Sequence, residues 1–488
     1  MHSLLPKILE LSRAGLGNLA AYLAAHVLLC LLPAFFIAGA MAALIPKETV
    51  TRFLGRNSRK TVSYPAAAAA GSLLAVCSCT IVPLFAGIYR KGAGIGPAVT
   101  FLFFAPAANI LALVYTGGVI GPDLAIARLV LSLLFGIGIG LLMALFFRAD
   151  DVAHDAATDN PFSAQGAGVG RAPLAFLVVW VALLLAGTLK LGVLTGTWLH
   201  FDLPLADAHT WQGHLDELVP FDAAKGEEGV SLQGILLIGL LATIGLSAWR
   251  GLERIHDGAT AWTWASVVLT AVTLLVAALS MEAMPDGMRV GLTGKFFAVT
   301  VCLGALFAIA RTRLSADAVR DWLWESWRFI KQIMPLLVVG VFAVGIIRAL
   351  VRPAWIETLA GTNSLLGNLA GVIFGVFMYF PTLVEVPIAK MFLDLGMHRG
   401  PLLAYLMSDP ELSLQSILII SAVIGRKKAW TYVGLVALFS AAAGLTYGAW
   451  VDGTSLLGLA LALAGWIAVL AGLLAWVNRH RRPAAKGV

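Results

Sequence analysis

Residues 71–109 read GSLLAVCSCTIVPLFAGIYRKGAGIGPAVTFLFFAPAAN. Almost every position is apolar or small, yet the run is punctured by Cys77-Ser78-Cys79-Thr80, Pro83, Pro97, Pro106 and Asn109. Proline removes a backbone donor and clashes with the preceding turn, so it bends or ends a helix. At membrane depth, irregular backbone is tolerated only where protein or a water-filled cavity surrounds it. The stretch therefore predicts broken helices inside a bilayer.

The rest of the chain agrees. Of 488 residues, 59% are hydrophobic and 12% charged, with mean hydropathy +0.88, whereas a soluble domain carries about a quarter charged residues. A span needs about 20 apolar residues. Runs that qualify lie near 19–45, 97–117, 122–147, 173–194, 231–249, 261–281, 290–310, 332–351, 400–421, 429–450 and 455–477. Two more, about 64–90 and 367–393, are apolar but broken, the second at Pro381 and Pro387. The net charge of +7 is no nucleic-acid signal, because the basic residues cluster between apolar runs, as in cytoplasmic loops. Cys30, Cys77, Cys79 and Cys302 all fall in apolar segments, with no disulfide framework.

The pattern recurs. Shifted by 304 positions without a gap, Val82, Pro83, Gly92, Gly96, Pro97, Leu102, Pro106, Val119, Ile120 and Gly121 meet Val386, Pro387, Gly396, Gly400, Pro401, Leu406, Pro410, Val423, Ile424 and Gly425. Six of these ten identities are Pro or Gly, the residues that punctuate a backbone. Repeated broken helices point to the binding site of a secondary transporter. Basic residues precede the first broken segment (Lys47, Arg52, Arg56, Arg59, Lys60) but follow the second (Arg426, Lys427, Lys428), which predicts inverted repeats.

The expected fold is an all-α integral membrane protein with about 11 transmembrane helices and two re-entrant hairpins. The expected division is 1–148, first repeat; 149–172, flexible linker; 173–313, inserted helices with a polar loop at 195–230; 314–450, an interfacial helix (314–331) and the second repeat; and 451–488, a last helix and basic tail. The loop 195–230 then faces outward, and the N-terminus does too, in spite of Lys7 and Arg13.

Two cysteines at i and i+2 in an extended turn can aim both sulfurs at one soft ligand. The plainer account is that small residues fill a tight hairpin tip. In the second repeat Glu385, Lys390, Asp409 and Glu411 stand where the first has Ile81, Ala86, Ala105 and Ala107. An ionisable group in a span costs roughly 2.5–3.5 kcal/mol on insertion scales, so it normally has a functional or pairing reason. Proton uptake by Asp409 and Glu411 is one; a structural Lys390–Glu385 pair is another.

The segments CSCTIVPLFAGIYRKGAGIGPAVTFLFFAPAANI (77–110) and EVPIAKMFLDLGMHRGPLLAYLMSDPELS (385–413) resemble the two halves of the ArsP/YraQ-type predicted permeases. The likeness covers about 19–148 and 332–450. It implies a permease of a bacterial inner membrane, in a family that includes exporters of trivalent organoarsenicals, with Cys77 and Cys79 as candidate arsenical contacts. The helices between 149 and 330 are extra relative to compact members.

His200, Asp202, Asp207, His209, His214, Asp216 and Glu217 cluster in the loop 195–230, in a spacing that fits a solvated acidic loop rather than a metal site. No P-loop, nucleophile elbow, HExxH or dinucleotide fingerprint followed by soluble α/β periodicity occurs. The expectation is a proton-coupled efflux permease, not an enzyme, with no cofactor, no metal and no nucleic-acid partner; homo-oligomerisation stays open. Cys77, Cys79, Thr80 and Asn109 would contact substrate from one repeat, and Glu385, Asp409 and Glu411 from the other. The breaks are expected at Pro83, Pro97, Pro106, Pro387, Pro401 and Pro410. The alternatives are a permease for another small sulfur- or metal-containing solute, a membrane thiol redox protein using Cys77/Cys79, and a non-transporting scaffold.

Overall fold

The computed structural model describes residues 4–25, 27–56, 58–73, 78–158, 170–189, 191–205, 207–219, 229–350, 354–377 and 382–480. Among them, seven helices are long and apolar enough to cross a bilayer, or nine if each of two bent helix pairs is one span. The protein is thus a multi-pass, helical membrane protein. Its contacts divide into two compact units interleaved in sequence: residues 1–49, 75–91 and 166–350 form one, and residues 50–74, 92–165 and 351–488 the other.

In the first unit, Leu4–Ala25 and Leu32–Leu44 are joined by a π-helical turn at Val27–Leu31 and bent by 50°. The five longest other helices of this unit are Arg171–Thr188, Leu232–Leu252, Ala261–Ala277, Gly294–Thr312 and Ala316–Leu350. Aromatic side chains tie three of these helices together. Trp180 stacks on Phe36 at 4.9 Å, Phe176 meets Trp322 edge-on at 4.9 Å, and Trp322 Nε1 donates to Phe36 O at 3.0 Å.

Two sequence expectations change here. The segment 314–331 is not a separate interfacial helix but the first half of the 35-residue helix Ala316–Leu350. At 1.5 Å per residue that helix runs about 52 Å, well beyond a hydrocarbon core of about 30 Å. Its polar half is anchored by Trp327 and Lys331, which both donate to Glu253 at 2.8 Å or less. The apolar run 261–281 is helical only to Ala277, and the run 290–310 becomes helical only from Gly294. The stretch Leu279–Met284 pairs antiparallel with Gly287–Thr293, because Pro285-Asp286-Gly287 makes a hairpin turn, with Gly287 at φ +157°. Thr197–Leu203 adds to this hairpin as the third strand. The front of the expected linker is helical too, over Arg148–Thr158.

The second unit contains two sets of helices whose bounds recur at the spacing read from the sequence. Ile95–Ala107, Ile110–Val119 and Pro122–Phe146 start 304 positions before Arg399–Leu412, Leu414–Ile424 and Arg426–Val451. Lys60–Leu73 and Leu365–Phe377 begin within one residue of the same spacing. The crossings also match. A Cβ on Gly96 would lie 2.9 Å from Gly140 O, and a Cβ on Gly400 2.9 Å from Gly444 O. Backbone meets backbone at both, so no side chain fits at either.

Overpacking such a contact costs about 1–3 kcal/mol. Gly96→Ala and Gly400→Ala should each lower the thermal unfolding temperature of the detergent-purified protein. Gly239→Ala, where a Cβ meets nothing within 4 Å, should leave it unchanged or raise it, since Ala is the better helix former. The reverse order in a melting series would remove the crossings as constraints.

Candidate functional site

The second unit buries an uncommon number of polar side chains, and they gather around two helix breaks. Ile95–Ala107 stops because Pro106 cannot donate to the carbonyl four residues earlier and because Asn109 caps the next helix. Asn109 is buried; its Oδ1 accepts from Ala112 N at 2.7 Å, while Nδ2 donates to Ala105 O at 2.9 Å and to Pro106 O. One amide thus satisfies both sides of the gap. At the matched position Ser413 caps Leu414–Ile424, its Oγ accepting from Ser416 N and donating to Ser416 Oγ at 2.7 Å. The helices around it bend by 43°.

Of the prolines expected at breaks, Pro106 and Pro410 lie in the last turns of Ile95–Ala107 and Arg399–Leu412, next to the interruptions. Pro97 and Pro401 lie in the first turns of Ile95–Ala107 and Arg399–Leu412, where a missing N–H is harmless. Pro83 and Pro387 lie inside helices that continue through them, Ser78–Arg90 and Thr382–Asp394.

The three expected acids are all buried. Glu385 pairs with a residue the sequence reading passed over: Arg128, also fully buried, donates from Nη2 to Oε1 at 3.1 Å and to Oε2 at 3.4 Å. The same guanidinium donates from Nε to Ala107 O at 2.7 Å and from Nη1 to Thr116 Oγ1 at 3.2 Å. It therefore satisfies a carbonyl at the first break and the carboxylate of the second repeat's helix Thr382–Asp394. Lys390, a possible partner for Glu385 by sequence, instead forms an exposed i,i+4 pair with Asp394.

Glu411 Oε2 accepts from the Tyr432 hydroxyl at 2.5 Å. Its Oε1 has no hydrogen-bond partner among the described residues, nor has either amide atom of the nearby buried Gln415. Under the 304 spacing Ala107 matches Glu411 and Arg128 matches Tyr432. The same two positions touch in both halves, as a guanidinium on a main-chain carbonyl in one and a phenol on a carboxylate in the other. Asp409 is buried on the helix just before Pro410, packed at the backbone against Gly375, whose added Cβ would lie 2.8 Å from Asp409 N.

Farther along the same helices, Arg399 pairs with Asp123 at 2.5 Å, and Tyr447 donates to the same carboxylate at 2.7 Å. Asp151, in the stretch read as a linker, caps Ile95–Ala107 by accepting from Ile95 N at 3.0 Å.

In the other unit Thr80 is buried, with its hydroxyl 2.7 Å from Cys30 Sγ. Cys77 and the side chain of Cys79 lie outside the described residues. In the polar loop, Asp202 is held by Arg289 at 2.8 Å, and that bond keeps its carboxyl below the usual range. No group of three or more His, Cys, Asp or Glu placed to hold a metal ion occurs among the described residues.

Many apolar helices, broken at membrane depth around buried ionisable side chains, define a membrane permease. The chain belongs to the ArsP_1 family of predicted permeases, whose family model matches residues 13–449. A UPF0718 protein of Methanocaldococcus jannaschii is 33% identical over 442 residues, covering 90% of this chain and 97% of that one. The UPF0718 protein YraQ of Escherichia coli is 28% identical over 117 residues, 24% of this chain and 33% of its own length. No solved structure matches.

Removing one partner of a buried ion pair leaves a bare charge and costs about 3–5 kcal/mol, whereas replacing both by apolar groups is often neutral. Arg128→Met and Glu385→Met should each collapse the yield of monodisperse protein, and the double variant should restore most of it. A double variant that loses as much as the two singles combined would mean that the two residues act independently.

Proposed function

We propose that the protein is a proton-coupled efflux permease of a cell inner membrane for small soft-ligand solutes, trivalent organoarsenicals being the leading class. The observation that carries the proposal is the set of buried carboxyls at the second helix break. Arg128 matches the charge of Glu385. Glu411, close enough to Glu385 for their charges to act on each other, faces a neutral phenol instead. A carboxyl placed so is suited to take up and release a proton, and Asp409, two residues earlier and equally buried, is suited to share it. Glu385 then serves as the fixed partner of Arg128.

Soft-ligand chemistry enters through Cys77 and Cys79. A trivalent arsenical bridged by two thiolates gains two bonds for one loss of translational freedom. Thr80 and Asn109 belong to the same candidate set, and the amide of Asn109, committed to the helix break, acts by shaping the site. The matched helix bounds and matched glycine crossings support two repeats. Inverted orientation, with eleven spans and two re-entrant hairpins, is the arrangement that keeps the basic loops on one side.

Two experiments test this. Cys77→Ser and Cys79→Ser should each abolish growth protection against methyl- and phenylarsenite in a host lacking its own exporters, with membrane abundance unchanged. Full protection by the double variant would reduce the cysteines to packing residues. In everted vesicles, Glu411→Gln and Asp409→Asn should keep substrate exchange while accumulation falls to the level seen with an uncoupler. Uphill transport at the unmodified rate by both would place coupling elsewhere.

A further inference from the structure

The first unit holds a half-open cavity of about 740 Å³ between its helices, within the range of roughly 300–1,000 Å³ typical of ligand sites. Phe176, Trp180 and Trp322 form one wall. The helix Ala261–Ala277 turns Thr263 and Ser266 toward the space, yet both hydroxyls are already spent: Thr263 donates to Gly251 O at 2.9 Å and Ser266 to Thr263 O at 2.8 Å. A polar solute would find almost nothing to bond along these walls, and an apolar space does not hold water well.

One end differs. Arg311 and Arg320 line it, where Gly294–Thr312 ends and Ala316–Leu350 begins. Arg320 shares a long 3.4 Å contact with Asp317. Among the described residues no carboxylate pairs with Arg311. Arg250, Arg254 and Arg313 sit on the neighbouring helix ends; Arg250 is engaged on the face of Trp262 at 4.9 Å. An apolar cleft in a bilayer protein, edged by the guanidinium groups of Arg311 and Arg320, is complementary to a molecule with acyl chains and an anionic head. Guanidinium forks match phosphate oxygens, and basic pockets between spanning helices are known lipid headgroup sites.

We infer that this cavity binds one anionic glycerophospholipid, its acyl chains against Phe176, Trp180 and Trp322 and its phosphate on Arg311 and Arg320. The site lies wholly within one unit and does not depend on which solute is transported.

The test is photo-crosslinking of the full chain in phosphatidylcholine nanodiscs carrying a trace of phosphatidylglycerol, phosphatidylcholine or palmitic acid, each with a diazirine on the acyl chain. Labelled peptides are mapped by mass spectrometry. The phosphatidylglycerol probe should label the cavity-facing peptides of 261–277 and 316–334 at least fivefold more than the phosphatidylcholine probe. Arg311→Gln/Arg320→Gln should erase that preference. Ala271→Trp, which fills the cavity, should lower labelling there by every probe while leaving the helix 456–480 unaffected. An unchanged melting temperature checks that the variants fold. Equal labelling by the two phospholipids, a preference that survives loss of both arginines, or stronger labelling by palmitic acid would each overturn the proposal.

Discussion

Inside hydrocarbon every backbone N–H and C=O needs a partner from the protein itself, and a helix that breaks there loses several at once. The second unit is organised around meeting that demand. The amide of Asn109 spans the first gap, donating backward and accepting forward. Arg128 takes the carbonyl of Ala107 beside it. Ser413 caps the helix after the second gap. Once these groups are fixed, the buried acids have defined surroundings, because they sit on the same few turns. The polar interior of the permease is thus a by-product of breaking helices in a membrane, used for chemistry.

The two halves meet the demand in different ways at one matched contact. In the first half the side chain at position 128 is a cation, and it draws in Glu385 from a helix of the second half. In the second half position 432 is a tyrosine, which gives its carboxylate a hydrogen bond but no charge. Arg128 meets Glu385 with two hydrogen bonds and an opposite charge, so that carboxylate is held on both counts. A carboxyl facing a phenol has no such lock. The same unit thereby holds one buried carboxyl paired with a cation and one hydrogen-bonded to a phenol.

Much of this was legible in the sequence. Hydropathy set the protein in a membrane, and the spacing of Pro and Gly in 82–121 and 386–425 picked out the segments whose helix bounds recur. The burial of Glu385, Asp409 and Glu411 followed from charge standing where Ile or Ala stands in the other half. Arg128 was not found because it sits alone in the apolar run 122–147, and its match is Tyr432 rather than an acid; an ionisable residue inside a span was signal enough. The hairpin at 279–293 was hidden because Leu, Met and Val score as membrane helix, whereas the local turn Pro285-Asp286-Gly287 decides the backbone. The segment 314–331 looked like a surface helix by its Trp and charge pattern, and only the uninterrupted helix to Leu350 shows it as the extension of a span.

The glycine crossings also have a mechanical consequence. Where Gly96 lies against Gly140, and Gly400 against Gly444, main chain approaches main chain, and the side chains of Tyr64 and Asn363 fill the space left beside Gly96 and Gly400. Such a contact tolerates a small rocking about the point of touch but resists sliding, since any displacement along the axis would drive a neighbouring side chain into the opposing main chain. Each crossed pair therefore behaves as a stiff lever. The compliance left to the unit is concentrated where the helices are interrupted, at Asn109 and Ser413, so the joints of the machine coincide with its buried polar groups.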